Sequence, residues 1–122
     1  MLEGFLRKKA EKRGIVLHVE SVGTHWSAKY RFRPSRPTRT CMESRGIELN
    51  GFRSRHIDAI DLSLFDLVIA VAPDIALQVK LRGYGGNLAV ENVPNPFGRN
   101  VATYEKCAEQ LEQIAERIVG AL

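Results

Sequence analysis

An α/β domain with a small parallel sheet is the fold class this sequence predicts. Three observations carry it. Short apolar, β-branched runs alternate with segments of helical periodicity along all 122 residues. Glycine or proline stands at nearly every junction between them. The order reads α-β-α-β-α-β-α, and strands separated by helices imply right-handed crossovers, a parallel sheet and three α/β/α layers. Residues 1–122 form one domain, long enough to bury a core without staples.

The elements follow in chain order. Leu2, Phe5, Leu6 and Ala10 share a helical face, and Gly14 is a natural stop beyond it. Ile15 to Val22 is rich in β-branched residues, with Val16, His18 and Glu20 alternating against Leu17, Val19 and Ser21, and predicts a strand ended by Gly23. Trp26 to Arg39 is expected to be irregular, with a short helix from Thr38 to Arg45 ended by Gly46. Gly51 to Ile57 reads as a loop and Asp58 to Leu64 as a helical turn. Phe65 to Ala72, FDLVIAVA, suits a central strand buried on both faces. Pro73 opens a helix that Gly83 closes, and Asn87 to Val93 is a strand ending in a Pro94–Gly98 turn. The last helix is the clearest: Tyr104, Cys107, Ala108, Leu111, Ile114, Ala115, Ile118 and Val119 recur at steps of three and four.

Composition excludes several classes. The first fourteen residues hold five basic and two acidic residues and no apolar run, so they are not a secretory signal. No stretch approaches the ~20 apolar residues that span a bilayer, so no membrane role is expected. Cys41 and Cys107 match no zinc or redox spacing. They are expected to be reduced and partly buried, a disulfide being the second choice. Few cysteines and no signal point to the cytoplasm. Charge is uneven: residues 1–55 carry thirteen Lys/Arg and five Asp/Glu (+8), residues 56–122 five and nine (−4). The basic half favours anionic partners.

Few residues announce chemistry. His18, His25 and His56 are scattered, so no metal site is expected. Lys29 to Arg39 alternates basic and aromatic residues, a pattern that suits phosphates with exposed bases or an acidic phosphopeptide. A solvated basic loop is the reading preferred over nucleic acid, which is not an expected partner. Arg53 and Arg55 suit an anion, or pairing with Asp58, Asp61 or Asp66.

The chain resembles the low-molecular-weight protein tyrosine phosphatases. Leu2–Arg7 (LEGFLR) looks like their first helix, just after the catalytic loop. Glu20-Ser21-Val22-Gly23-Thr24 followed by Trp26 is similar to their second strand and turn. Arg45-Gly46-Ile47, Arg53-Ser54-Arg55, Phe65–Ala70 and Val93-Pro94-Asn95-Pro96-Phe97-Gly98 resemble further family segments. The resemblance runs nearly end to end and implies a flavodoxin-like strand order. It names Trp26, Arg53, Arg55, Asn95 and Phe97 as substrate- or anion-binding candidates, with no cofactor. It also implies departures. The family's Cys-x5-Arg loop and the strand before it have no counterpart here, and Asn95 holds the position of the general-acid Asp. An amide cannot supply the proton, a loss of ~10²–10⁴ in rate. Phe97 replaces a tyrosine. Arsenate reductases of this fold require further cysteines just after the strand matching Phe65–Ala72, and none stands there.

The resemblance therefore implies a catalytically inactive relative that binds a phosphoprotein or another anionic partner. The alternatives are a true phosphatase whose N-terminal catalytic loop is missing from this sequence and, more weakly, a basic nucleic-acid-binding module. The absent family strand would lie between Ile15–Val22 and Phe65–Ala72. Its loss leaves backbone groups unpaired at ~1–3 kcal/mol each when buried. The two strands could pair directly in a three-stranded sheet, or the protein could begin upstream, but a homodimer through the sheet is the expectation.

Overall fold

The computed structural model describes residues 1–122. Four helices and a two-stranded parallel sheet make up the regular structure: α1 (Leu2–Lys12), α2 (Arg36–Glu43), β1 (Leu67–Ala70), α3 (Pro73–Leu81), β2 (Asn87–Val90) and α4 (Val101–Gly120). Three short 3₁₀ turns, Trp26–Tyr30, Ile57–Ala59 and Leu62–Leu64, fill the connections.

Helices α1, α2 and α4 enclose the main core. Phe5 and Leu6 of α1 and Cys41 and Met42 of α2 meet Cys107, Ala108, Leu111, Ile114, Ala115 and Val119 of α4. Burial of each larger side chain among these (Phe5, Leu6, Met42, Leu111, Ile114 and Val119) stabilises by roughly 1.5–3 kcal/mol. The helices approach closely because Gly4 has no side chain; a Cβ there would lie 3.1 Å from both Ile47 Cγ2 and Met42 Cε. Gly14 turns the chain out of α1 at φ +67°, and the Ile15 amide returns to the Ala10 carbonyl at 2.9 Å. Ion pairs at 2.8 Å tie the outer rims: Lys9 and Arg13 to Glu116, and Arg45 to Glu105.

On the sheet, Leu67 pairs with Asn87 and Ala70 with Val90, in parallel. Ladder bonds continue beyond the strands, Glu91 N to Ala70 O and Val93 N to Val71 O, both 2.8 Å. Ile69 and Val71 face the helical core. Ala70 points the other way, where α3 covers the strands with Ala76 and Val79. The three-layer reading stands.

Three expectations need correction. Ile15–Val22 is not a regular strand. It runs extended, with Ile15, Leu17 and Val19 against the core and Val16 and His18 exposed; the alternation ends at Ser21, which has the parity of Leu17 and Val19 but is exposed. Yet no residue from Val16 to Val22 makes a backbone–backbone hydrogen bond, because no strand lies alongside to accept one. Second, β1 is not buried on both faces. Leu67 is exposed, Val68 and Ile69 are half-buried and only Ala70 is buried. Its one neighbour is β2, and its other edge carries no strand. Third, α2 begins at Arg36 rather than Thr38. Ser35 is its N-cap, accepting from the Thr38 amide, and Pro37 sits in the first turn where no amide is needed.

Candidate functional site

Four arginines from three parts of the chain converge on one cleft of about 410 Å³. Arg7 comes from α1. Arg31 terminates the Trp26–Tyr30 turn, and Arg53 and Arg55 come from the loop after Asn50. Glu3, Glu20, Ser21 and Phe52 complete the lining. Backbone bonds lock these segments together. Gly23 N donates to Arg55 O and Ile57 N to Gly23 O, at 2.8 and 2.9 Å. Ser54 is the pin on the other side: its amide donates to Phe32 O, and its hydroxyl accepts from Phe32 N and donates to Ala28 O.

The charges do not cancel. Arg7 pairs with Glu3 at 3.0 Å and also donates to the Val19 carbonyl. Arg55 pairs with Glu20 at 2.7 Å. Arg53 reaches only the Phe52 carbonyl, and Arg31 has no side-chain partner. Two guanidiniums are thus left to meet an anion. Arg31 also holds φ +55°, a left-handed conformation that costs a non-glycine residue ~1–2 kcal/mol and fixes where its side chain leaves the backbone.

The pairing of Arg53 and Arg55 with Asp58, Asp61 or Asp66 does not occur. Asp58 instead pairs with Arg82 at 2.9 Å, and Asp61 caps Ser63. Of the five sequence candidates, Arg53 and Arg55 share the cleft, while Trp26, Asn95 and Phe97 lie outside its lining. Asn95 accepts the Phe97 amide at 3.0 Å, an Asx turn that commits its oxygen to the backbone. Phe97 is largely exposed. Sequence reasoning missed Arg7 and Arg31. Arg31 sat inside a basic run that gave no hint of which member turns inward, and Arg7 looked like the solvent face of a helix.

The two cysteines lie in the core, away from the arginine cleft. Both are free and buried. Burial first, then a hydrogen bond with Glu105, pushes the Cys41 thiol up to about 11 despite the Arg45 guanidinium 3.3 Å away. Its sulfur donates to the Tyr104 carbonyl at 3.7 Å. Burial also raises Cys107. A protonated thiol neither attacks phosphorus nor binds a metal well.

This α/β fold with its anion-suited cleft matches a known family model, low molecular weight phosphotyrosine protein phosphatase, over residues 1–122, and the chain belongs to that family. Among solved structures it is similar to the low molecular weight protein tyrosine phosphatase from T. tengcongensis: 21% identity, 99% of this chain and 88% of that one covered, TM-score 0.87. A YwlE mutant from Bacillus subtilis is 19% identical, with 98% and 86% covered and a TM-score of 0.82. An arsenate reductase from Archaeoglobus fulgidus is 18% identical, with 98% and 87% covered and a TM-score of 0.72. At these identities the likeness establishes the fold. A search of curated proteins found no match. No helix is long and apolar enough to cross a membrane.

Proposed function

We propose that this chain is a cytoplasmic, non-hydrolytic member of its family that holds a phosphorylated or otherwise anionic protein partner at the arginine cleft. The observation that carries the reading is the cleft's charge: four guanidiniums, two of them without a carboxylate partner, beside no available thiolate. A guanidinium fork matches phosphate geometry and stays charged at any physiological pH. Two features argue against turnover: the raised Cys41 and Cys107 thiols, and an Asn95 amide engaged by its own turn. We further propose that the unpaired backbone of Val16–Val22 and the open edge of β1 favour a homodimer through the sheet.

Two measurements test this together. Hydrolysis of para-nitrophenyl phosphate should stay at background for this polypeptide and for Asn95→Asp. Titration with inorganic phosphate and a phosphotyrosine peptide, followed by amide NMR shifts, should perturb Ser21, Arg31 and Arg53. Arg31→Ala with Arg53→Ala should abolish the shifts. Turnover above background would overturn the non-hydrolytic reading, and unperturbed cleft amides would overturn the binding one.

One observation favours a second reading, a phosphatase whose catalytic loop lies N-terminal to this sequence. The unpaired edges of Val16–Val22 and β1 are suited to receive a strand. Adding a strand and a Cys-x5-Arg-Ser loop before Met1 should then create phosphatase activity, slowed by Asn95. No activity in that extended chain would remove this reading.

A further inference from the structure

A second surface stands apart from the arginine cleft's chemistry. Trp26, Tyr30 and Phe32 are 63%, 65% and 58% exposed. They form a continuous row with His25: ring centroids are 5.3 Å apart for His25–Trp26, 5.6 Å for Trp26–Tyr30 and 6.1 Å for Tyr30–Phe32. Rings of this size gain most of their stabilisation by being covered, at 150–250 Å² each. Three left adjacent and open mark an interaction site rather than scattered surface residues.

The row is also cationic. From Ser21 to Met42 there are five basic residues and no Asp or Glu. Lys29, Arg33 and Arg36 are exposed, and no ion pair involves any of them. Nor is the segment loose. His25 caps the turn by accepting the Ser27 amide, and Ser54 bonds both Ala28 and Phe32 from beneath. A merely solvated loop would leave its charges out but not hold its rings out in a fixed row.

The chemistry of the partner follows from this composition. It must be anionic at several points along its length and must bring flat faces to the rings. An acidic or phosphorylated peptide meets the charges but brings a flat face only where it happens to carry an aromatic residue. A single-stranded nucleic acid supplies one phosphate and one planar base with every residue. We propose that the Trp26–Arg36 face binds single-stranded nucleic acid, bases on Trp26, Tyr30 and Phe32 and phosphates on Lys29, Arg33 and Arg36. The face shares its chain segment with Arg31 of the arginine cleft, but none of the six side chains named here lines that cleft.

Trp26 is the one tryptophan in the chain, so its fluorescence reads the site directly. A short oligothymidylate or oligouridylate should quench it at low salt. Three phosphate contacts on a single strand imply a slope of about −2 in log affinity against log salt, so binding should weaken roughly 20-fold between about 50 and about 200 mM. Tyr30→Ala with Phe32→Ala should weaken it at least about ten-fold with the salt slope unchanged. Lys29→Gln, Arg33→Gln and Arg36→Gln together should flatten the slope. Lys106→Ala, on α4, should leave both untouched. All these side chains are exposed, and circular dichroism confirms the fold of each variant. Equal quenching by polyglutamate would mean charge alone and overturn the proposal. So would a flat salt response, tighter binding of a phosphotyrosine peptide, or indifference to loss of the rings.

Discussion

The helical side and the strand side of this molecule are built to different degrees of completion. In the α1–α2–α4 layer nearly every apolar residue finds a partner, and Met42, Ala108 and Ala115 are wholly buried. The helices satisfy their own backbone, so packing is all they need from their neighbours. On the strand side, Val16–Val22 lies extended with no backbone partner and β1 is paired along one edge. An extended segment cannot bond its own backbone and needs another strand, a side chain or water, as where Arg7 meets the Val19 carbonyl. Helical order here needs only packing partners, whereas strand order depends on what lies alongside.

That contrast makes unequal demands on mutation. The largest effect should come from the helical layer: Phe5→Ala is expected to cost about 3–5 kcal/mol in urea unfolding, while Val16→Ala should cost under about 0.5 kcal/mol. A Val16 change as large as that at Phe5 would mean that the Val16 side chain itself is packed in a core in solution. The second test is mass. Light scattering should show dimerisation that rises with protein concentration, and Val16→Lys or Leu17→Pro should shift it toward monomer. A monomer mass independent of concentration would remove the homodimer.

Smaller effects probe the seams. Asn100 caps α4 by accepting the Thr103 amide and hydroxyl at 3.0 and 2.9 Å, and Asn100→Ala should cost about 0.5–2 kcal/mol. pH should act at both ends. The Cys41 thiol keeps its proton to about 11, against an ordinary value of 9.0, so its stabilisation is complete below pH 9 and lost as pH rises through about 11. Arg45 and Lys9 hold the Glu105 and Glu116 carboxyls below their ordinary 4.5, so their small contribution is present above that value and lost as pH falls beneath it. Thiol-reagent kinetics on Cys41 and urea midpoints across pH check both arms. Rapid labelling of native Cys41 at neutral pH would contradict its buried, protonated state.

Much of the fold was legible beforehand. The long stripe of α4 and the glycine after α1 identified their helices because periodicity and a left-handed stop are local signals. The start of α2 was misplaced because Pro37 reads as a breaker unless the Ser35 cap ahead of it is recognised. The site was less legible. Arg53 and Arg55 could be singled out from their spacing, but the partners they would take could not. Arg55 turned to Glu20, thirty-five residues away, and not to any aspartate nearby in sequence.

Residue order and chemical type were enough for the fold class, the helix faces, the uneven charge and the lack of a cysteine flanked by a phosphate-cradling motif. These depend on near neighbours along the chain, and near neighbours are written in order. Folding in space was needed to decide that Val16–Val22 stays unpaired, that Arg7 and Arg31 join Arg53 and Arg55, and that three aromatic rings stand in an open row. Each of those is a matter of which distant segments come within hydrogen-bond or ring-contact range, and no periodicity in a single chain encodes that distance.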